Sequence, residues 1–194
     1  MKLTCLIILA SLLFSAQSFE KGVPAKGMRR YEAPDRGASV TVVPVGKEAG
    51  RVEYESRIEF HSGDGSVLCV LDYSSEDSEH GFGLVKGQWT SDSKYYIFSL
   101  TSSGGHQAWH APTQFFNRED GTIRSLDDYF RASGISESDF RLIAPDTIKT
   151  EVLKDKPVPV SINLAALPPL RSWRKDRPFL VTCASGQVSK PEQP

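Results

Sequence analysis

Charge of one sign, cysteine and long apolar runs are all in short supply, and each shortage excludes something. Lysine and arginine total 23 against 24 aspartates and glutamates, a formal net charge of −1. A general nucleic-acid binder or a protein drawn to anionic membranes carries a basic excess that is missing here. The one long apolar run, Leu3 to Phe14, is LTCLIILASLLF. It falls short of the roughly 20 residues that a membrane-spanning helix needs, and no later segment could span a bilayer. Three cysteines occur in 194 residues. Cys5 stands near the start of the apolar run, not at its end, which is the wrong place for a lipoprotein site.

Strand–helix alternation is also missing, so a Rossmann-type nucleotide domain is not expected. No G-x-S-x-G nucleophile elbow occurs. The acidic run Glu76, Asp77 and Glu79, with Asp72 before it, lacks the D-x-D-x-D-G spacing of a calcium loop and reads as a solvated surface.

What is present begins with a leader-like segment. Lys2 supplies a positive start, the apolar run follows, and Ala16 and Ser18 occupy the small-residue positions before a cut ahead of Phe19. Residues 1–18 therefore read as a secretory signal peptide, and the protein as secreted or periplasmic. Cys69 and Cys183 then remain, an even number in an oxidising compartment, and are expected to pair. Their disulfide closes a loop of more than a hundred residues, for which chain entropy gives roughly 4–5 kcal/mol.

Residues 19–37, rich in Lys, Arg, Gly and Pro, read as a loose N-terminal arm, and residues 185–194 as a disordered tail. Residues 38–184 then form a single β-rich domain. Ser39 to Val45 is a strand in which Pro44 marks an edge position or the strand's end. Between Arg51 and Phe60 the alternation is strict: Val52, Tyr54, Ile58 and Phe60 face inward while Glu53, Glu55, Arg57 and Glu59 face water. Asp64-Gly65 suits a hairpin turn, and Val67 to Leu71, apolar on both faces, belongs inside a sheet. Further strands are expected at Gly81 to Trp89, Thr113 to Asn117, Thr122 to Leu126, Arg141 to Ala144, Thr147 to Leu153, Val158 to Leu164 and Phe179 to Cys183. A short helix is expected over Asp127 to Ala132, capped by Ser125 or Asp127 and stopped by Gly134. The fold class is all-β, with antiparallel sheets arranged as a sandwich or as propeller-like blades.

The chain is organised around Gly87 to Leu100, GQWTSDSKYYIFSL. A tryptophan leads into a polar turn and then into an aromatic, β-branched strand. Trp89, Tyr96 and Phe98 can each bury about 150–250 Å², and Asp92 can accept backbone N–H groups within the turn. Trp89, Asp92, Lys94 and Phe98 resemble the W-S-P-D-G-K blade signature of TolB-like β-propellers. Thr90 stands for its serine, Ser91 for its proline and Ser93 for its glycine. The resemblance covers residues 57–126. It implies that the turn joins the first two strands of a blade, that Thr113–Asn117 and Thr122–Leu126 are its third and fourth, and that Ile58–Tyr73 ends a preceding blade. The chain is too short for a closed propeller of many blades.

Candidate chemistry is concentrated in TSSGGHQAWHAP, after Leu100. A stretch of this length between strands is uncommon in compact domains and enriched in functional ones. His106, Gln107, Trp109 and His110 suit a ligand- or partner-binding loop, because aromatic and hydrogen-bonding side chains dominate such surfaces. No catalytic set, metal site or cofactor is assigned. The alternatives are a metal-assisted or serine hydrolase around His106 and His110, and a carbohydrate-binding module using Trp109 and Tyr129. Arg171, Trp173, Arg174, Lys175 and Arg177 form the one basic cluster and read as a solvated face. The expected partner is a protein or a glycan, with no nucleic acid.

Overall fold

The structure, a computed structural model, describes residues 27–45, 55–104, 111–130, 135–136, 138–153, 155–167, 180–183 and 186–190. Thirteen strands form three sheets, and the architecture is all-β, with no closed barrel. The first sheet takes β1 (Arg29–Glu32), β2 (Ala38–Val45), β3 (Glu55–Ser62), β4 (Val67–Asp72) and β13 (Gln187–Ser189), in that order. The second takes β5 (Phe82–Trp89), β6 (Tyr95–Ser102), β7 (Thr113–Asn117), β8 (Thr122–Ser125) and β12 (Leu180–Thr182). The third is β9 (Arg141–Ala144), β10 (Thr147–Leu153) and β11 (Pro157–Asn163). Every pairing is antiparallel except β13 on β4.

Period-two alternation explains why the second sheet is the middle layer. Tyr96, Phe98 and Leu100 of β6 point into one core with Phe116 and Ile123, against Val40, Val42, Ile58, Phe60, Cys69 and Leu71 of the first sheet. Tyr95 and Ile97, the intervening residues, point into a second core with Phe115 and Leu126, against Ile148, Val152 and Ile162 of the third sheet. A strand buried on both faces must be apolar at consecutive positions, and Tyr95 through Leu100 are all buried. Each of these large side chains contributes about 1.5–3 kcal/mol on burial. Phe60 and Phe116 tie the first two sheets together with ring centroids 4.9 Å apart, and Trp89 and Tyr96 lie 5.3 Å apart beside them.

The tryptophan turn is built as the residues require. Thr90 N–H donates to the Tyr95 carbonyl at 2.9 Å and Ser93 N–H to the Thr90 carbonyl at 3.0 Å. Asp92 accepts the Lys94 N–H at 3.1 Å. Two further contacts reach this end of the molecule: Asp35 N–H donates to Ser93 Oγ at 3.0 Å, and Arg118 bonds the Asp35 carboxylate at 2.5 Å. That ion pair, with the Gly37 N–H, holds the Asp35 carboxyl below its ordinary pKa.

Several expectations need correction. The N-terminal arm contains β1, which pairs with β2 from Arg29↔Val42 to Glu32↔Ser39. The C-terminal tail contains β13. Both strands are short and owe their form to pairing, β1 with the adjacent β2 and β13 with the distant β4, rather than to local period. Of the two readings of Pro44, the strand's end holds, as it is the penultimate residue of β2, and the edge position does not, since β2 lies between β1 and β3; it sits past the last β1 pairing, where no ladder donor is needed. The expected helix is a single 3-10 turn, Asp127–Tyr129. The Ser125 hydroxyl accepts the Asp127 N–H there, while Asp127 turns its own side chain inward. Glu55, expected in water, is buried at 2% exposure. The alternation places it on the outer face of β3, but the chain between β4 and β5 folds over it.

The Cys69–Cys183 disulfide forms, joining β4 of the first sheet to the residue after β12 of the second. No helix among the described residues is long and apolar enough to cross a membrane.

Candidate functional site

One end of the first two sheets gathers the connections that carry the candidate residues. The chain leaves β6 through Ser103 and Gly104 and returns at Ala111 into β7. Beside it, residues 73–81 connect β4 to β5. His106, Gln107, Trp109 and His110 lie outside the described residues, as does the basic cluster from Arg171 to Arg177. The structure does show what holds both stems of the segment that bears the first four.

The departing stem rests on Glu55, the first residue of β3. Its Oε1 accepts the Gly81 N–H at 2.7 Å and the Ser103 hydroxyl at 2.9 Å, and lies 2.5 Å from the Ser75 hydroxyl. Its Oε2 accepts the Ser75 N–H at 2.7 Å. A buried carboxyl is expensive unless its oxygens are filled with donors, and here four donors converge on it. Gly81 is a close approach of this kind: any Cβ there would run into the Glu55 carboxyl and the Tyr73 carbonyl. Ser103 N–H also donates to the Gly81 carbonyl at 2.9 Å, which carries the β5–β6 ladder up to the stem.

The returning stem rests on a second carboxyl, Asp127. Its Oδ1 accepts the Ile135 N–H at 2.7 Å and its Oδ2 the Thr113 N–H at 3.3 Å. Thr113 Oγ1 donates to the Ala111 carbonyl at 3.0 Å and meets the Ser99 hydroxyl at 2.8 Å. Ala111 N–H donates to the Ile135 carbonyl at 3.0 Å, and Leu100 N–H to Pro112 at 2.9 Å. The stems at Ser103 and at Thr113 thus each rest on a buried acid.

The acidic run is a folded turn. Asp77 bonds His80 Nδ1 at 2.5 Å and accepts the Glu79 N–H at 3.0 Å. The Glu79 amide, His80 and the Ser75 hydroxyl together hold the Asp77 carboxyl far below the usual carboxylate range. His80 N–H in turn donates to Ser75 Oγ at 3.2 Å. Ser75, Asp77 and His80 do not form a nucleophilic triad, because the serine hydroxyl faces carboxylates and is not set against the imidazole. Among the described residues no three His, Cys, Asp or Glu side chains come together as metal ligands.

Tyr129 is half-buried and packs against the second core rather than standing free as a sugar platform; burial raises its hydroxyl pKa. Glu55 and Asp127 are the positioning residues that pattern reading missed. No local signal marks Glu55, because the residues that bury it lie some twenty positions downstream.

No protein-family model matches this chain, and no curated protein is significantly similar to it.

Proposed function

We propose that this is an exported, non-catalytic binding module that engages a protein or a glycan through segment 104–111. The observation that carries the reading is the double anchorage of that segment, on Glu55 at one stem and Asp127 at the other. Binding residues are found on connections that a rigid scaffold positions, and two buried acids spend many donors to fix these two stems. His106, Gln107, Trp109 and His110 supply the aromatic and hydrogen-bonding chemistry. Export is supported by the leader-like residues 1–18 and by a disulfide of the kind that persists in oxidising compartments. A TolB-like relationship fits the same reading: β5 to β8 make a four-stranded antiparallel meander entered through the tryptophan turn, with other sheets stacked on both faces.

The test is a photo-cross-linking residue at position 107, compared with the same residue at Lys149 on the exposed side of β10. The expected result is a discrete adduct, protein or glycan, formed outside the cytoplasm from position 107 alone and abolished by Trp109→Ala. The same adducts from both positions, or a chain retained in the cytosol with its thiols reduced, would overturn the proposal.

A further inference from the structure

The two long seams between the first and second sheets are closed by different means. At one, β1 faces β5 and the link is a pair of hydrogen bonds: Arg29 Nη2 to the Leu84 carbonyl at 2.6 Å, and Trp89 Nε1 to the Tyr31 carbonyl at 3.0 Å. At the other, the C-terminal residues 180–183 and 186–190 do the closing. Strand β12 adds to β8 over three pairs, Leu180↔Arg124 to Thr182↔Thr122. Cys183 then crosses to Cys69 through the disulfide, and β13 adds in parallel to β4 over three pairs, Gln187↔Cys69 to Ser189↔Leu71. One short segment caps the edges of two sheets.

Among the described residues, little besides the disulfide holds that segment. Leu180 and Val188, its large apolar side chains at the two ends, are 52% and 57% exposed. Only Val181 and Cys183 pack against the first core, and both are partly buried. Every fully buried member of that core falls between Ala33 and Ile123. The remaining ties are backbone bonds: Cys183 N–H to Gly121 at 2.7 Å, Gly186 N–H to Val67 at 3.4 Å, and the two short ladders.

We propose that residues 180–190 are a redox-locked strap: reduction of Cys69–Cys183 releases them and uncovers the outer edges of β4 and β8 while the sandwich stays folded. The reductant is a dithiol, a small molecule or a disulfide-exchanging protein. One of its thiolates attacks Cys183 Sγ, the less buried sulfur, and Cys69 leaves as a thiolate that takes up a proton. The second thiol of the reductant then displaces Cys183 as a thiol. Two electrons and two protons pass to the protein, and the reductant ends as a disulfide. With the covalent link gone, two three-residue ladders and one partly buried valine are too little to repay the ordering of the nine described residues. The uncovered edges present unpaired N–H and C=O groups, the state in which a sheet accepts another strand.

The experiment is amide hydrogen exchange on the intact protein before and after reduction with dithiothreitol and alkylation of both thiols. The expected result is full exchange in residues 180–183 and 186–190 and an acceleration of about tenfold or more in 67–72 and 122–125, with β2, β3 and β6 still protected. Cys183→Ser without reductant reproduces that pattern. An alkylated protein whose strap stays protected would show that the disulfide locks nothing, and loss of protection throughout would show a global staple instead of a strap; either outcome overturns the proposal.

Discussion

Gly87 lies directly against the hydroxyl of Tyr96 on the neighbouring strand. A Cβ at Gly87 would stand closer to Tyr96 Oη and Cζ than real Cβ atoms approach any neighbour. The Tyr96 ring is wedged against Trp89, Tyr31 and Phe98 and has nowhere to move. The glycine in β5 is therefore the counterpart of the tyrosine in β6. Gly87→Ala is expected to lower stability by about 1–3 kcal/mol through overpacking. The Tyr96 hydroxyl has no hydrogen-bond partner among the described residues, so Tyr96→Phe alone is expected to be neutral or slightly stabilising. Combined with Gly87→Ala it recovers part of the loss. Urea denaturation of the three variants checks this, and an unperturbed Gly87→Ala midpoint would contradict the packing described.

Ser93 explains one departure from the propeller-like signature. It adopts φ 62°, the left-handed region that favours glycine, where the resembled pattern has glycine. The serine is kept in that conformation while its hydroxyl accepts the Asp35 N–H. Ser93→Gly removes the strain and the hydrogen bond together, each worth about 1 kcal/mol, and is expected to be nearly neutral. Ser93→Ala loses the hydrogen bond and keeps the strain, for a cost of about 1–2 kcal/mol. Equal midpoints for alanine and glycine would mean that the left-handed backbone carries no cost at this turn.

Glu55 is expected to behave as the keystone of the loop end. Glu55→Ala strands the Ser75 amide, leaves the Gly81 amide only its longer bond to Ser103 Oγ at 3.1 Å, and costs about 3 kcal/mol, or opens residues 74–81 locally. Glu55→Gln keeps one acceptor oxygen and should fall between. Glu76→Gln, an exposed neighbour in the same connection, is expected to stay within about 0.5 kcal/mol of the parent. Thermal denaturation with amide exchange at Ser75 and Gly81 separates global from local loss, and a silent Glu55→Ala would remove the rationale for a fixed stem.

These residues show where pattern reading succeeds and fails. The strands with clean period or dense aromatics, β3, β6, β7 and β10, are found from their own residues because burial on a sheet imposes alternation or full apolarity. The disulfide is legible because only two cysteines lie outside the leader-like residues 1–18. Strand β12 lies within the expected Phe179 to Cys183, but β1 and β13 are not found: four and three residues cannot carry a period, and each takes its form from the strand it pairs with. Glu55 fails for the opposite reason, since its alternation is correct but the face it points to is later covered. Segment 104–111 was legible as a candidate by its length and composition, while the acids that fix its stems are set by tertiary structure.

Tyr73 and Tyr96 give the fold a defined alkaline limit. Burial raises both hydroxyls above the ordinary tyrosine value of 10.0, and Tyr73 donates to Gln114 Oε1 at 2.5 Å across the first core. In the unfolded chain both ionise near 10, whereas in the folded protein they keep their protons. Below that value the two states bind the same number of protons at these sites, and the tyrosines add no pH dependence. Above it the folded state holds more, so stability falls as pH rises, by up to about 1.4 kcal/mol per pH unit for each tyrosine. Urea midpoints between about pH 8 and 11 should show this decline. The Tyr73→Phe/Tyr96→Phe double variant should decline less steeply, and the difference between the two curves isolates these hydroxyls from lysines that titrate nearby. Tyr73→Phe also leaves Gln114 without its donor, which lowers the whole curve by about 1 kcal/mol without changing its slope. Parallel curves for parent and double variant would mean that neither hydroxyl is held from water in the folded state, and the first core would then be open where Phe60, Tyr96 and Phe116 are packed together.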